Sequence, residues 1–201
     1  MQPTIPFSYP RINEDISRLK SLLQTGLKVA DWRPPESVAV LNLACGRADE
    51  TGVLVEVLGG AQALGGYLGI DLRGVEIAEA RRRWRADPAQ AGRVDFRVGD
   101  ASNLDMVESD RLFDFVFIRH QNFWHSPKEW AQIYELSLRW LKPDGRLAIT
   151  SYFDREHALA RACLAQHRAV SVAEIPHPAS RPLPDAPGKS VDRRLAIFRL
   201  P

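Results

Sequence analysis

The first sustained pattern along the chain is helical. Ile12, Ile16, Leu19, Leu22, Leu23 and Leu27 recur at spacings of three and four, which predicts an amphipathic helix over 12–29. Pro34 and Pro35 stop helical growth before them. The pattern then changes. Residues 38–43 form a short apolar run with no helical period, as a strand buried on both faces requires. Residues 49–58 read as a helix closed by Gly59-Gly60, and 67–72 as a second buried strand. The next helix, 75–85, has Glu76 and Glu79 early and four arginines late, the order the helix dipole favours. Asp87-Pro88 ends it.

Residues 94–98 alternate as a third strand, and 113–118 are a fourth, nearly all apolar. Ser126-Pro127-Lys128-Glu129 then supplies a Ser cap, a Pro at the first helical position and a Glu three after the cap. The helix it opens runs to about Leu141. Lys142-Pro143-Asp144-Gly145 reads as a turn, and 146–152 as a fifth strand. Asp154 caps a helix to about Arg168, followed by a sixth strand over 169–175. Five prolines within 176–190 mark a long loop. Residues 192–200 are a seventh strand.

Five rounds of strand and helix predict an α/β fold: a doubly wound, mostly parallel seven-stranded sheet with helices on both faces, a three-layer αβα sandwich. Two final strands with no helix between them predict an antiparallel C-terminal edge pair. Residues 1–35 read as an N-terminal helical cap and 36–201 as the ligand-binding part of one compact domain. Such sheets bind ligands at the carboxyl ends of their strands, so functional residues are expected just after strands one to four.

Composition narrows the classes without naming a ligand. At 201 residues, 45% hydrophobic and 26% charged, the chain has the length and balance of one globular domain. Two cysteines, Cys45 and Cys163, cannot make a disulfide framework, and point to a reducing, cytoplasmic setting. No apolar run is long enough to span a membrane, and MQPTIPFSYPR has no signal-peptide pattern. The net charge of +2 demands neither nucleic acid nor membrane. There are 22 Arg and only 5 Lys. A GC-rich coding bias produces the same excess.

The strand ends carry the candidate chemistry. After the first strand, the positions of a dinucleotide G-x-G-x-x-G are Ala44, Gly46 and Asp49, only one of them Gly. Asp49 and Glu50 place negative charge where a pyrophosphate would sit, which disfavours phosphate and tolerates a cation. No P-loop follows. Asp71, ending the second strand, suits two ribose hydroxyls or a helix cap. Asp100, after the third, suits an adenine amino group or a turn. Together they describe an adenosine site lacking a diphosphate.

With these residues in place, the chain resembles the class I S-adenosylmethionine-dependent methyltransferases over about residues 36–155. Val40-Leu41-Asn42-Leu43-Ala44-Cys45-Gly46 is similar to that family's first motif, and Tyr67-Leu68-Gly69-Ile70-Asp71 to its second. Gly99-Asp100-Ala101, Phe113-Asp114-Phe115-Val116-Phe117 and Trp140–Leu147 are similar to the next three. The resemblance implies S-adenosyl-L-methionine as cofactor and a seventh strand lying antiparallel between the fifth and sixth. It implies that Asn42, Ala44, Cys45 and Gly46 lie at the methionine part, that Asp71 holds the ribose hydroxyls, that Asp100 and Ala101 meet the adenine, and that Leu72 is one of the cofactor-binding residues. It puts Arg119 and His120 towards the methyl donor. Asn42 stands where the family usually has Asp or Glu, and Ala44 and Ala48 replace two customary glycines.

On the acceptor side, His120 suits a general base, or only a hydrogen-bonding partner of the cofactor. Asn122, Trp124 and His125 are candidates for the substrate cleft. The Asn/Asp-Pro-Pro-Tyr/Phe segment of base and amide methylation is missing after the fourth strand. No metal-ligand spacing occurs, and Cys45 has no adjacent His to activate it. The expected activity is methyl transfer to a small-molecule acceptor. Arg81-Arg82-Arg83-Trp84-Arg85 keeps an RNA acceptor open, although a solvated helix end explains it as well. Asn42 keeps open a non-catalytic nucleoside-binding domain.

Overall fold

The computed structural model describes residues 11–84, 92–103, 111–121 and 123–201. The Asp87-Pro88 helix stop, Arg85 and Asn122 lie outside these residues. Among the described residues the order is α1 (Ile12–Val29), β1 (Val38–Leu43), α2 (Thr51–Val57), a 3-10 turn (Ala61–Ala63), β2 (Leu64–Asp71), α3 (Gly74–Trp84), β3 (Val94–Val98), β4 (Phe113–Arg119), α4 (Pro127–Arg139), β5 (Leu141–Ser151), α5 (Asp154–Gln166), β6 (Val170–Pro176) and β7 (Arg194–Arg199).

Seven strands form one sheet in the order β3-β2-β1-β4-β5-β7-β6. The pairs from β3 to β5 are parallel, and β7 runs antiparallel to both β5 and β6. The sheet is therefore doubly wound about β1 and β4, and the antiparallel pair closes one edge as the sequence predicts.

Alternating side chains build a core on each face. Val40, Tyr67, Phe96, Phe117 and Ile197 pack on one side with Leu19, Leu23, Leu54 and Ile77 from α1, α2 and α3. Leu41, Leu68, Val116, Ile149 and Phe198 pack on the other with Tyr134, Leu138, Ala160 and Leu164 from α4 and α5. α1 takes a place in the first helical layer, close against β6 and β7. A Cβ on Gly26 would lie 2.5 Å from Leu195 Cδ2 and 3.0 Å from Ile197 Cδ1, so a larger residue there requires these buried side chains to shift.

Several boundaries differ from the sequence pattern, each for a local reason. α2 starts at Thr51, because Asp49 and Glu50 belong to the preceding turn. β2 starts at Leu64, which pairs with Val38. Ser126 makes no side-chain cap bond, and α4 stops at Arg139. Lys142–Gly145 is an excursion inside β5, since Phe113 pairs with Leu141 and Phe115 already with Arg146. Buried Asp114 fastens that excursion, accepting from Lys142 Nζ at 2.9 Å and from the Ala39 amide at 2.8 Å. Asp154 is the first residue of α5, after Phe153 at the cap position, and pairs with Arg193 and Arg194. Asp192 precedes β7.

Candidate active site

The carboxyl ends of β1, β2, β3 and β4 open into a cavity of about 660 Å³. Ala44, Cys45, Gly46, Asp71, Leu72, Asp100, Ala101, Arg119 and His120 all line it, so residues spread over 77 positions of the chain meet at one place.

The turn after β1 is unusual for its residue types. Ala44, Gly46 and Ala48 have φ of 54°, 53° and 59°, all left-handed. This conformation costs an L-residue roughly 1–2 kcal/mol. The two alanines thus adopt the left-handed conformation that glycine takes most readily. Asp71 holds the turn by accepting the Gly46 amide at 2.8 Å.

Asp71 is almost fully engaged. Besides Gly46 it accepts from the Arg73 amide (2.9 Å), Arg73 Nε (2.9 Å) and Arg73 Nη2 (3.1 Å). Burial works against its ionised form, but the Arg73 and Gly46 donors prevail and hold the carboxyl below its ordinary range. The Arg73 side chain is 62% exposed, so it covers Asp71 from the solvent side. Asp100 is exposed, and its Oδ1 accepts from the Ser102 amide and hydroxyl, a turn-forming arrangement.

A second charged group forms the floor at β4. Arg119 binds Asp192 through Nε–Oδ1 (3.0 Å) and Nη2–Oδ2 (2.6 Å), and its Nη1 lies 3.6 Å from Glu50 Oε2. Thr150 donates to Asp192 Oδ1 at 2.8 Å. Burial opposes the Asp192 carboxylate, yet the Arg119 guanidinium holds its pKa well below the usual range. His120, at φ 55°, places Nε2 2.8 Å from Asp192 Oδ1 and 3.1 Å from the Asp192 amide. Those contacts need opposite protonation of the same nitrogen. Burial, aided by Arg119, lowers the His120 pKa, so the ring is neutral at pH 7. Its face stacks on Tyr152 at 3.8 Å, and burial pushes the Tyr152 hydroxyl up to about 12.

α4 supplies the opposite wall through Ser126, Glu129, Trp130 and Ile133. Counting the whole lining, six carboxylates (Asp49, Glu50, Asp71, Glu76, Asp100, Glu129) face three guanidiniums (Arg47, Arg73, Arg119). This donor set repels a pyrophosphate and suits a nucleoside with a cationic tail, so the residues present fit S-adenosylmethionine. Burial, with Glu50 and Asp71 beside it, raises the Cys45 thiol pKa, so Cys45 is no thiolate nucleophile. Among the described residues no group of three His, Cys, Asp or Glu side chains could hold a metal ion.

A profile of the methyltransferase domain matches residues 40–145, more than half of the chain. The chain belongs to the methyltransferase-domain family. Its fold is that of the class I S-adenosylmethionine-dependent members. A protein from Pyrococcus horikoshii OT3 is 20% identical with a TM-score of 0.69, covering 96% of this chain and 93% of that one. The N-methyltransferase NodS from Bradyrhizobium japonicum WM9 is 15% identical with a TM-score of 0.69, covering 96% and 99%. The glycopeptide N-methyltransferase MtfA, whose structure holds S-adenosyl-L-methionine, is 14% identical with a TM-score of 0.64, covering 89% and 87%. No curated protein matches the chain in sequence.

Within this methyltransferase, three expected site residues stand away from the cavity wall. Asn42 is fully buried beneath it and donates to Glu50 Oε1 (2.6 Å) and Tyr67 OH (2.8 Å). Trp124 turns aside to donate to Glu156 at 2.8 Å, and His125, beside it, is not part of the wall. Conversely, the sequence pattern does not mark Glu50, Arg73, Asp192 and Tyr152 as site residues. Glu50 left a trace there as charge unfavourable to phosphate; Asp192 left none.

Behind the floor, Gln121 donates to Ser151 Oγ (2.5 Å), which pairs with His157 Nδ1 (2.9 Å). Burial pushes the His157 pKa down to about 4 from an ordinary 6.5. A depressed folded-state value means the unfolded chain binds the extra proton, so this ring's contribution is lost as pH falls from 6.5 to 4. Relative to His157→Gln, the wild type should lose about 3 kcal/mol of unfolding free energy between pH 7 and pH 4. Urea melts across that range check it; parallel curves for the two proteins would contradict it.

Proposed function

We propose that the protein transfers a methyl group from S-adenosylmethionine to a small-molecule acceptor. The observation that carries this reading is the excess of carboxylates around a nucleoside-sized cavity at the strand ends. Its volume of about 660 Å³ is within the range of roughly 300–1,000 Å³ common for small-ligand sites. The bound cofactor supplies an electrophilic methyl on a sulfonium. The chain's part is to bind and align. Asp71 takes the ribose hydroxyls once Arg73 swings aside, Leu72, Asp100 and Ala101 border the adenine, and the 44–46 turn runs under the methionyl part. His120 serves as base only in the form where Nε2–H donates to Asp192 Oδ1, because that leaves Nδ1 to accept a proton.

Little favours an RNA acceptor. Arg81 donates to the Phe96 carbonyl, Arg82 and Arg83 pair with Glu79, and Arg83 also binds Asp49. The described part of the basic run is thus engaged within the molecule. Cys45 and Cys163, both buried and unpaired, support a cytoplasmic location. Among the described residues no helix is long and apolar enough to cross a membrane.

S-adenosylhomocysteine at about 100 times its dissociation constant should add roughly 2.7 kcal/mol. That corresponds to a rise in melting temperature of about 5–10 °C for a chain of this size. An unchanged melt at millimolar ligand, or a larger rise with a pyridine nucleotide, overturns the reading.

A further inference from the structure

We propose that Glu50 is the anion that receives the ammonium of the methionyl tail, carrying at the entrance to α2 the charge that Asn42 lacks at the end of β1. The proposal rests on reading the cavity as an S-adenosyl site.

Three observations support it. Glu50 lines the cavity, whereas Asn42 does not, so a ligand meets the carboxylate and not the amide. The two are built as a pair. Asn42 Nδ2 donates to Glu50 Oε1 at 2.6 Å and to Tyr67 OH at 2.8 Å, and Tyr67 OH pairs with Thr51 Oγ1 at 2.8 Å. An aspartate at position 42 would face Glu50 as a second acceptor of the same sign, with no proton to give. Asparagine here therefore orients Glu50 and leaves the site's negative charge on the residue that reaches the cavity.

The third observation is the local charge count. Glu50 and Asp192 are both at most 6% exposed in their side chains, and between them stands one guanidinium, Arg119. Arg119 gives both hydrogen-bonding edges described above to Asp192, and its contact with Glu50, at 3.6 Å, is longer than a hydrogen bond. His120 is neutral. Burial raises the Glu50 pKa, and Arg119 and Asn42 offset this only in part, so an ionised Glu50 is costly by itself and is favoured once a cation arrives beside it. The other groups around Glu50 are Asp49, Cys45 and Tyr67, none of them cationic. A ligand ammonium completes the balance.

Calorimetric titration of S-adenosylhomocysteine, which has the ammonium, against 5′-methylthioadenosine, which lacks the tail, separates the possibilities. Glu50→Gln keeps an acceptor for Asn42 and removes only the charge. It should weaken S-adenosylhomocysteine by about 10- to 100-fold while changing methylthioadenosine by less than about threefold. Retained methylthioadenosine binding also shows that the variant is folded. If it fails to fold, the wild type alone decides: N-acetylated S-adenosylhomocysteine should bind about tenfold or more weakly than the free amine. Equal affinity there, or equal changes for both ligands in Glu50→Gln, overturns the role of Glu50 and leaves the S-adenosyl site standing. Binding of neither ligand to the wild type overturns the site itself.

Discussion

Replacing Asp192 by asparagine is expected to lower the unfolding free energy by about 3–5 kcal/mol, the usual penalty for breaking a buried ion pair on one side. For a chain of this length that is roughly 6–20 °C in melting temperature. Asp192 is 1% exposed and receives Arg119 at two points, Thr150 at a third and His120 at a fourth. The amide keeps the shape but leaves the buried Arg119 guanidinium with only Glu50, 3.6 Å away, to balance it. Removing both charges together, as Arg119→Met with Asp192→Leu, should recover much of the loss, because a packed apolar pair avoids desolvating either ion. Denaturant melts of the single and double variants measure this. A single-variant loss under 1 kcal/mol would show that the pair is screened and that the floor is held by packing alone.

Asp71→Ala is the second large effect, on binding. It should weaken S-adenosylhomocysteine by roughly 100-fold or more, since charge-assisted hydrogen bonds to two ribose hydroxyls are lost, and the thermal shift should vanish. Arg73→Ala should act in the opposite direction. The guanidinium occupies the oxygens that the proposed complex gives to the ribose, and its own side chain is 62% exposed. Its removal sacrifices little stability and should raise affinity a few-fold. Undiminished binding in Asp71→Ala would remove Asp71 from the site. Weaker binding in Arg73→Ala would make Arg73 a ligand contact.

The sequence makes most of the fold legible because the strongest signals are local. β1 and β4 are apolar on both faces as central parallel strands must be, and α1 shows its buried stripe at Leu19, Leu23 and Leu27. The meeting of residues at the cavity is legible for the same reason: Gly46, Asp71 and Asp100 each lie at or just past the end of a recognisable strand. What is not legible depends on tertiary pairing. Lys142–Gly145 has turn chemistry, and only the pairing of Phe113 and Phe115 with β5 makes it an excursion within a strand. Asp192 meets Arg119 across 73 positions, delivered by a strand that runs against its neighbours. Asn42 reads as a lost acid until Glu50, eight residues on, is seen to receive its amide.

The position of β7 between β5 and β6 carries a consequence for biogenesis. Translation delivers β6 before β7, yet the finished sheet has no β5–β6 contact. Were β6 to zip onto β5 while the ribosome was still at work, it would occupy the slot of the later strand and trap the chain in a wrong register. Segment 176–190 joins β6 directly to β7, so the route that avoids the trap is for these two strands to pair first and dock on β5 together, and Asp192 reaches Arg119 in the cavity floor only at that step.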